Sequence, residues 1–421
     1  MDIGKRALVG LAIALSVGVA PISLVQAAPA KAAKTERWVA SWATSQMIPA
    51  AKDALPAADV TDGTLRQSLR LSTGGGKIRV RLSNAFGTEP LKLSGVHVAL
   101  AAAPGSARID PASDRALAFS GRADVTIPAG AEYLSDPIDF PAAPLANLAI
   151  TIRFDGAPPA QQTSHPGSRT TSWFGAGDQL AAAELTGGKS LDRWFVISGV
   201  DVQRAAGASL VTFGDSITDG YGVTTNGTNR WPDILAARLQ ADPRTKGVGV
   251  LNAGIGGNRL VLDGLGPNAM ARFDRDVLNQ ASVKYVILLE GVNDLGTLTR
   301  EQPASPEAHA ALVVRMLASY DQMIRRARER GIKIYGATVM PYGGSAYYHP
   351  DAANEADRQA INAWIRTPGR FDAVIDFDKL MADPAHPSKL APAYDSGDGL
   401  HPSLAGYKTM ADAVPLDLFA H

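Results

Sequence analysis

The sequence predicts two parts: a β-sandwich or jelly-roll domain, followed by an α/β domain with helices on both faces of a parallel sheet. Before about residue 203, short strands with alternating apolar and polar residues are separated by Gly, Pro, Asp and Ser clusters, which is typical of antiparallel sandwiches. From about residue 204, strand patterns alternate with helical patterns, and a βαβα series implies a parallel sheet. The length of 421 residues is enough for both domains.

Composition and charge are those of a folded protein. Apolar residues make up 46% and charged residues 19%, which excludes the disordered class. The 41 Lys and Arg residues balance the 41 Asp and Glu residues, whereas nucleic-acid-binding proteins carry a basic excess, so we expect no nucleic-acid partner. The chain contains no cysteine, which excludes disulfides, thiolate metal sites and a cysteine nucleophile.

The first residues have the pattern of an export signal. A positively charged start precedes an apolar stretch that Pro21 interrupts, and residues 25–27 fit a small-x-small cleavage site. We predict a signal peptide over residues 1–27 and a linker over residues 28–36, with a secreted or periplasmic mature chain that has no stable membrane anchor. An uncleaved membrane anchor is the alternative interpretation.

Strand patterns dominate residues 37–203, the predicted accessory domain. Residues 69–72 and 78–82 alternate apolar and polar side chains. The intervening Gly74-Gly75-Gly76 predicts a hairpin turn, because no helix follows it as a phosphate-binding loop would require. Further strands are predicted at residues 97–100, 148–152 and 194–197.

Residues 204–421 are the predicted catalytic domain. Apolar runs predict strands at residues 210–213, 248–251, 285–289, 333–339 and 374–377. Helical spacing predicts helices at residues 231–239, 311–328 and 404–414. In such sheets, ligands bind outside the carboxyl ends of the strands.

Residues that can carry chemistry follow these strands directly. Ser216 follows the first strand, the glycine run at residues 254–257 follows the second, and Asn293 follows the third. Asp398 and His401 lie in the loop before the last helix. All of them are therefore expected at one edge of the sheet, where they supply the parts that acyl transfer needs.

Ser216 is the candidate nucleophile, and a helix N-cap is the alternative role. Its Gly-Asp-Ser-Ile-Thr surroundings differ from the Gly-x-Ser-x-Gly elbow of α/β-hydrolases. His401 is the candidate base, oriented by Asp398. His386 also has an acid three residues earlier, but it lies in a Pro-rich loop and is predicted to be at the surface. An unperturbed imidazole base predicts that activity declines below about pH 6.5.

Gly257 and Asn293 are the candidate oxyanion donors, together with the backbone N–H of Ser216. The backbone N–H of Gly256 is an alternative donor to that of Gly257. The alternative role for the glycine run and for Asn293 is to form ordinary turns. The Gly254-x-Gly256 start is a weak match to a dinucleotide loop, since its third glycine comes too early. No cofactor and no metal are predicted, because no cluster of histidines supplies three or four ligands.

The sequences Gly-Asp-Ser at 214–216, Asn252 to Asn258, Gly-Val-Asn-Asp at 291–294 and Asp-Gly-Leu-His at 398–401 resemble blocks I, II, III and V of the SGNH, or GDSL, hydrolase superfamily. The resemblance covers about residues 209–414. It implies a flavodoxin-like three-layer α/β/α fold and hydrolysis of esters, thioesters or acetylated sugars. The site residues that it implies are the triad Ser216, Asp398 and His401, and the oxyanion donors Ser216, Gly257 and Asn293. Glu290 departs from the pattern, since many members carry an apolar residue there.

The first half resembles the β-domain of exported GDSL esterases through residues 38–42 and 79–87. That branch includes proteins labelled xylan esterases, which implies carbohydrate esters as substrates. The predicted function is that of an exported serine esterase that removes short acyl groups, acetyl above all, from a polysaccharide or a small ester through an acyl-enzyme on Ser216. A lipase or lysophospholipase with the same triad is the alternative, for which residues 342–348 would form an aromatic flap rim. A non-catalytic carbohydrate-binding protein is less favoured. A sugar platform of Trp173, Trp194 and Tyr133 is a further hypothesis, with core packing preferred.

Overall fold

The computed structural model describes Met1 and residues 37–420. The predicted signal peptide after Met1 and the predicted linker at residues 28–36 lie outside the described residues. Antiparallel strands occupy residues 37–204, and a parallel sheet with helices begins at Ala208. This arrangement confirms the predicted fold class. In the described part of the chain, no helix is long and apolar enough to cross a membrane.

The antiparallel region forms two large sheets. Its strands are β1 (Arg37–Ala43), β2 (Thr64–Arg70), β3 (Gly75–Ser83), β4 (Leu91–Leu100), β5 (Arg115–Ala116), β6 (Val125–Ile127), β7 (Glu132–Leu134), β8 (Ile138–Ala142), β9 (Asn147–Phe154), β10 (Ser164–His165), β11 (Ser172–Gly175), β12 (Lys189–Leu191), β13 (Trp194–Phe195) and β14 (Ile197–Arg204). One sheet has the order β1-β14-β3-β7, with β8 also on β3, and the other has the order β12-β11-β2-β9-β4-β5, with β6 also on β4. Val80, Ile150 and Val200 belong to a buried cluster built from both sheets, as in a β-sandwich.

Two local predictions in this region are wrong. The glycine run at residues 74–76 does not close a hairpin, because β2 and β3 belong to different sheets. Both edges of β2 are already paired, with β11 and β9, so the chain crosses to the other sheet. A β-carbon on Gly74 would lie 2.7 Å from the Pro144 backbone nitrogen, which explains glycine there. The strand predicted at residues 194–197 is broken at Val196, whose φ is 66°.

The α/β region has three layers. Its parallel strands are β15 (Ala208–Gly214), β16 (Val248–Gly254), β17 (Val283–Leu289), β18 (Lys333–Ala337) and β19 (Ala373–Ile375), in the order β16-β15-β17-β18-β19. After α1 (Ala57–Val60), the helices are α2 (Ser216–Asp219), α3 (Trp231–Ala241), α4 (Ala269–Phe273), α5 (Val292–Thr299), α6 (Pro306–Glu329), α7 (Ala352–Arg366), α8 (Phe377–Met381) and α9 (Leu404–Ala413). Short 3₁₀ turns occur at Ala51–Asp53, Pro111–Ser113 and Leu416–Phe419, and a π turn at Asp274–Leu278.

The strand order reverses at β15, which is the flavodoxin-like arrangement. Because crossovers between parallel strands are right-handed, α3 lies on one face, and α6 and α7 lie on the other. The contacts agree, since α3 packs on α9 whereas α6 packs on α7. The reversal places the carboxyl ends of β15, β16 and β17 around one crevice.

Strand β1 joins the sandwich to the α/β region. The Ala40 amide donates a hydrogen bond to the Ala281 carbonyl oxygen at 3.2 Å. Ser282 Oγ donates to the Trp38 carbonyl oxygen at 2.7 Å. Ala281 and Ser282 directly precede β17, so these contacts join β1 to the amino end of that strand.

Candidate active site

Ser216 lies just beyond the carboxyl end of β15, as the first residue of α2. The preceding Asp215 caps this helix, because its Oδ1 accepts a hydrogen bond from the Ile217 amide at 2.9 Å. The alternative interpretation of Ser216 as the N-cap is therefore wrong. Gly214 is closely surrounded, since a β-carbon there would lie 2.5 Å from the Leu289 carbonyl oxygen. The Ser216 hydroxyl is thus available for another partner.

That partner is His401. Ser216 Oγ lies 2.8 Å from His401 Nε2, and His401 Nδ1 lies 2.6 Å from Asp398 Oδ2. Because an ionised carboxylate only accepts hydrogen bonds, Nδ1 carries the ring proton and Nε2 accepts from the serine hydroxyl. In this arrangement the imidazole can remove the serine proton.

The loop between Asp398 and His401 folds back on itself. Asp398 Oδ1 accepts hydrogen bonds from the Leu400 amide at 2.9 Å and the His401 amide at 2.8 Å. Gly399 has a φ of 69° and lies against the Gly344 backbone, so glycine is required there. The three-residue spacing therefore lets one carboxylate hold both the backbone and the ring of His401.

Burial and hydrogen bonding oppose each other at both His401 and Asp398, and the pKa of each group ends below its ordinary value. Burial lowers the pKa of His401 below its ordinary value of about 6.5, although the hydrogen bond and charge of Asp398 oppose this change. Burial alone would raise the pKa of Asp398, but hydrogen bonds from the backbone and ring of His401 hold it below its ordinary value. At neutral pH a neutral imidazole therefore faces an ionised carboxylate.

We expect the acid limb of the kcat/KM profile to lie below pH 6.5, lower than an unperturbed imidazole would give. A lowered pKa keeps the imidazole of His401 neutral, and so able to act as a base, to lower pH. A pH-stat measurement of acetate-ester hydrolysis gives the profile. An NMR titration follows the His401 imidazole, whose resonance is identified by its absence from the spectrum of His401→Gln. Agreement between its pKa and the acid limb assigns that limb to His401. A limb at or above pH 6.5 would contradict this expectation.

Asn293 is held in a fixed orientation at the start of α5. Its Nδ2 donates to the Asn258 carbonyl oxygen at 2.7 Å, and its Oδ1 accepts from the Tyr348 hydroxyl at 2.6 Å. These contacts leave the second N–H of the amide for another acceptor. Asn293 is buried, yet it lines the same cavity as Ser216. Its amide can therefore donate to an oxyanion that forms beside Ser216.

Gly256 and Gly257 also line this cavity. Gly257 has a φ of 69°, and a β-carbon there would lie 2.7 Å from Leu265 Cδ1. Gly256 has more space, since its β-carbon would first meet Asp219 Oδ2 at 3.8 Å. The dinucleotide-loop interpretation is wrong, because among the described residues no helix begins after this run until Ala269. Both backbone amides are candidates for the oxyanion donor.

Two tyrosines complete the site, and the sequence predicted a contact with His401 or Asn293 for neither of them. The Tyr221 ring lies 4.1 Å from the His401 ring, measured between centroids, and is 46% exposed. Tyr348 orients Asn293, as described above, and the aromatic content of residues 342–348 is its only sequence signal. No sequence pattern points to Tyr221.

The cavity beside Ser216 has a volume of about 1550 Å³ and is lined by both halves of the chain. The sandwich contributes Met47, Phe86, His165, Gly167, Arg169 and Arg193, among others. His165 Nε2 lies 2.9 Å from Oδ1 of Asp219, the last residue of α2. His165 Nδ1 donates to the Ser45 carbonyl oxygen at 2.8 Å. The sandwich therefore forms one wall of the site and contacts the helix that carries Ser216.

Arg272 anchors the sheet edge beneath the site, and sequence reasoning missed it. Its buried guanidinium donates to the carbonyl oxygens of Gly214 at 2.9 Å and Ala253 at 2.7 Å, near the ends of β15 and β16. It also pairs with Asp276 at 3.1 Å and Glu290 at 3.3 Å. Glu290, which departs from the superfamily pattern, is thus a counter-ion of this arginine. Burial, and then the charge of nearby acids, raises the pKa of Glu290, and Arg272 opposes that shift.

Other candidates lie away from the site. His386 is exposed, as predicted. Trp194 is 7% exposed and packs edge-to-face on Trp42 at 5.0 Å, so core packing is correct for it. Neither Trp173 nor Tyr133 is among the described residues that line the cavity. In the described part of the chain, no group of three or more His, Cys, Asp or Glu side chains is placed to hold a metal ion.

Comparisons with known proteins concern the second half of the chain. Residues 212–409 match the GDSL-like Lipase/Acylhydrolase family, and no curated protein matches the chain. Similar solved structures include a GDSL-like lipase from Bacteroides thetaiotaomicron (21% identity, 49% of this chain, 84% of that chain, TM-score 0.36). The acetyl xylan esterase AlAXEase has 19% identity, with 49% of this chain and 96% of that chain covered and a TM-score of 0.37. A catalytic mutant of Axe2, an acetylxylan esterase from Geobacillus stearothermophilus, has 21% identity, with 49% of this chain and 93% of that chain covered and a TM-score of 0.38. Each likeness covers half of this chain, at an identity too low to indicate a shared substrate.

Proposed function

We propose that this chain, a carboxylic ester hydrolase whose residues 212–409 match the GDSL-like lipase/acylhydrolase family, is an exported serine esterase. Its proposed substrates are carbohydrate esters, from which it removes acetyl and other short acyl groups. The observation that carries this proposal is the hydrogen-bonded series from Ser216 through His401 to Asp398, which borders an open cavity. Export is proposed on the pattern of residues 1–27.

In the proposed mechanism, Ser216 Oγ attacks the ester carbonyl carbon while His401 Nε2 takes its proton. The charged imidazole that forms is stabilised by Asp398, to which Nδ1 already donates. His401 then gives the proton to the departing alcohol oxygen, and the acyl group stays on Ser216. Water activated by the same imidazole hydrolyses the acyl-enzyme and restores the free serine.

The negative oxygen of each tetrahedral intermediate needs donors that are in place before the reaction. We assign this role to the Asn293 side chain and to the backbone N–H groups of Ser216 and Gly257. The contacts of Asn293 with Tyr348 and Asn258 support its part, because they hold the amide without using its second N–H. A pre-oriented donor of this kind needs no reorganisation as charge develops.

The cavity lining favours a polar alcohol over a long alkyl chain. Charged side chains of Arg169, Arg193, Arg259 and Arg300 surround the space, together with exposed Tyr221. Sugars bind to such mixtures of hydrogen-bond donors and aromatic faces, whereas an alkyl chain would displace water from these charged groups without replacing its hydrogen bonds. This balance supports the carbohydrate-ester proposal.

A lipase or lysophospholipase is the second candidate, and one observation favours it. Several exposed apolar side chains lie at the rim of the cavity: Ile48 at 47%, Leu265 at 61% and Tyr347 at 58% exposure. Exposed apolar side chains that cluster around a site can contact an acyl chain or a lipid surface. The two candidates differ in the acyl group that they prefer.

We expect kcat/KM to fall from 4-nitrophenyl acetate to butyrate, octanoate and palmitate. The reason is that the charged lining cannot solvate a lengthening alkyl chain. A tenfold fall corresponds to about 1.4 kcal/mol of lost transition-state stabilisation. The Ser216→Ala protein supplies the background rate for every ester. Rates that rise towards palmitate would overturn the short-acyl proposal in favour of the lipase. The carbohydrate part of the proposal is tested separately, by measuring acetate release from acetylated polysaccharides with the chain beginning at Ala28.

A further inference from the structure

Arg169 is presented to the cavity by a firmly held turn of the sandwich. It lies between β10 and β11 with a φ of 48°, a left-handed conformation that few non-glycine residues adopt. Its carbonyl oxygen accepts from the Asn226 amide at 2.9 Å, and Asn226 Oδ1 accepts from the Thr171 amide at 2.9 Å. The neighbouring Ser168 carbonyl oxygen accepts from Arg230. The turn is thus anchored to the α/β region on both sides of Arg169.

The guanidinium of Arg169 has no carboxylate partner among residues 37–420. Its Nε is buried and makes no hydrogen bond. Two other arginines of the cavity are paired with carboxylates, Arg193 with Asp53 at 2.6 Å and Arg300 with Glu301 at 2.7 Å. The guanidinium of Arg259 donates to the Asp263 carbonyl oxygen. A partly buried, unpaired donor is unfavourable unless a ligand satisfies it.

The position of this guanidinium relates it to the departing alcohol. It lies 5.2 Å from the centre of the Tyr221 ring, which in turn lies 4.1 Å from the His401 ring. The alcohol part of the ester must lie on the imidazole side, because His401 Nε2 protonates the alcohol oxygen. The carbonyl oxygen of the ester faces Asn293, the proposed oxyanion donor. A group on the alcohol part therefore reaches Arg169 across the exposed face of Tyr221.

We propose that Arg169 binds an anionic oxyacid group, a carboxylate or a phosphate, on the alcohol part of the ester. The inference rests on the proposed function, because it takes Ser216 and His401 as nucleophile and base. The planar guanidinium suits both anions, since its parallel N–H groups match a pair of oxygens. The substrate is then an ester of an acidic alcohol, such as an acetylated uronic acid unit, rather than of a neutral one.

Two matched pairs of acetate esters test this inference. The first compares acetylated methyl glucuronoside with acetylated methyl glucoside, and the second compares acetylated glycerol phosphate with acetylated glycerol. We expect the wild-type protein to prefer the anionic member of at least one pair by roughly tenfold or more in kcat/KM, the scale of a charge-assisted hydrogen bond. A preference confined to one pair identifies the anion as carboxylate or phosphate.

In Arg169→Gln the ratio of anionic to neutral kcat/KM should fall to about one, whereas Arg169→Lys should retain part of the preference as a point charge. Lys52→Gln, which removes another cavity cation, should leave the ratio unchanged. An unchanged ratio in Arg169→Gln, or no preference in the wild type, would overturn the inference about Arg169. If the wild type hydrolyses both members of each pair equally well, the proposed esterase function still holds. Loss of hydrolysis of all four esters by the wild type would remove both proposals. Because the readout is a ratio within one variant, a partly unfolded preparation does not imitate the result.

Discussion

Replacement of Ser216 by alanine will lower kcat by about 10⁵-fold or more, the scale seen when a serine nucleophile is removed. His401 Nε2 then has no hydroxyl at 2.8 Å from which to take a proton, and no acyl-enzyme can form. The residual rate comes from the oxyanion donors and from substrate binding. Single-turnover kinetics with 4-nitrophenyl acetate measures the loss, since the burst of the acyl-enzyme should also disappear. An undiminished rate would remove Ser216 from the mechanism.

Two histidines provide a matched control for this experiment. His401 and His386 each follow an aspartate by three residues, but His401 is buried beside Ser216 whereas His386 is exposed. His401→Ala should lose nearly as much activity as Ser216→Ala, because nucleophile and base act as a unit. His386→Ala should retain the wild-type rate. Equal losses in both histidine variants would indicate a general effect on folding, which a comparison of their melting temperatures would detect.

The second large effect concerns stability, at Arg272. Arg272→Met should lower the free energy of unfolding by about 3–5 kcal/mol, the cost of breaking a buried ion pair by removing one partner. The change leaves the carboxylates of Asp276 and Glu290 buried without this cation, and it removes donors from the Gly214 and Ala253 carbonyl oxygens. Urea unfolding measures this loss of unfolding free energy, provided that the dependence of the free energy on urea concentration is the same in the variant and the wild type.

A surface arginine gives the control for Arg272. Arg326 pairs with Asp274 at 2.7 Å, but the two side chains are 28% and 57% exposed, so Arg326→Met should cost less than about 1 kcal/mol. The double variant Arg272→Met with Glu290→Leu should recover part of the loss, because it also removes a buried acid that has lost its counter-ion. Equal effects of Arg272→Met and Arg326→Met would contradict the role of Arg272 as an anchor.

The parts of the site that sequence reasoning placed correctly are those with local signals. Strand and helix patterns recur within a few residues, and Ser216, the glycine run and Asn293 each follow a strand directly, so their common edge could be inferred. The spacing of Asp398 and His401 is also local, since one short turn joins them. The Pro-rich loop around His386, and then the superfamily resemblance, favoured His401 over His386.

The parts that sequence reasoning missed involve residues far apart in the chain. No pattern pairs Arg272 with Glu290, or His165 with Asp219, because such contacts depend on which loops the packed sheets bring together. The hairpin predicted at residues 74–76 failed for the same reason. The partners of β2 were decided by β9 and β11, whose sequences lie far along the chain.

The sequence by itself determined the fold class and the edge of the parallel sheet where Ser216, the glycine run and Asn293 lie, because both follow from periodicity and from position relative to strand ends. The superfamily resemblance implied Asp398 and His401 as the partners of Ser216. Only the tertiary structure decided that the sandwich supplies a wall of the cavity. It also decided that Tyr221 and Arg169 lie beside His401. The physical reason is that burial and side-chain contact between distant segments arise from packing, which no local pattern records.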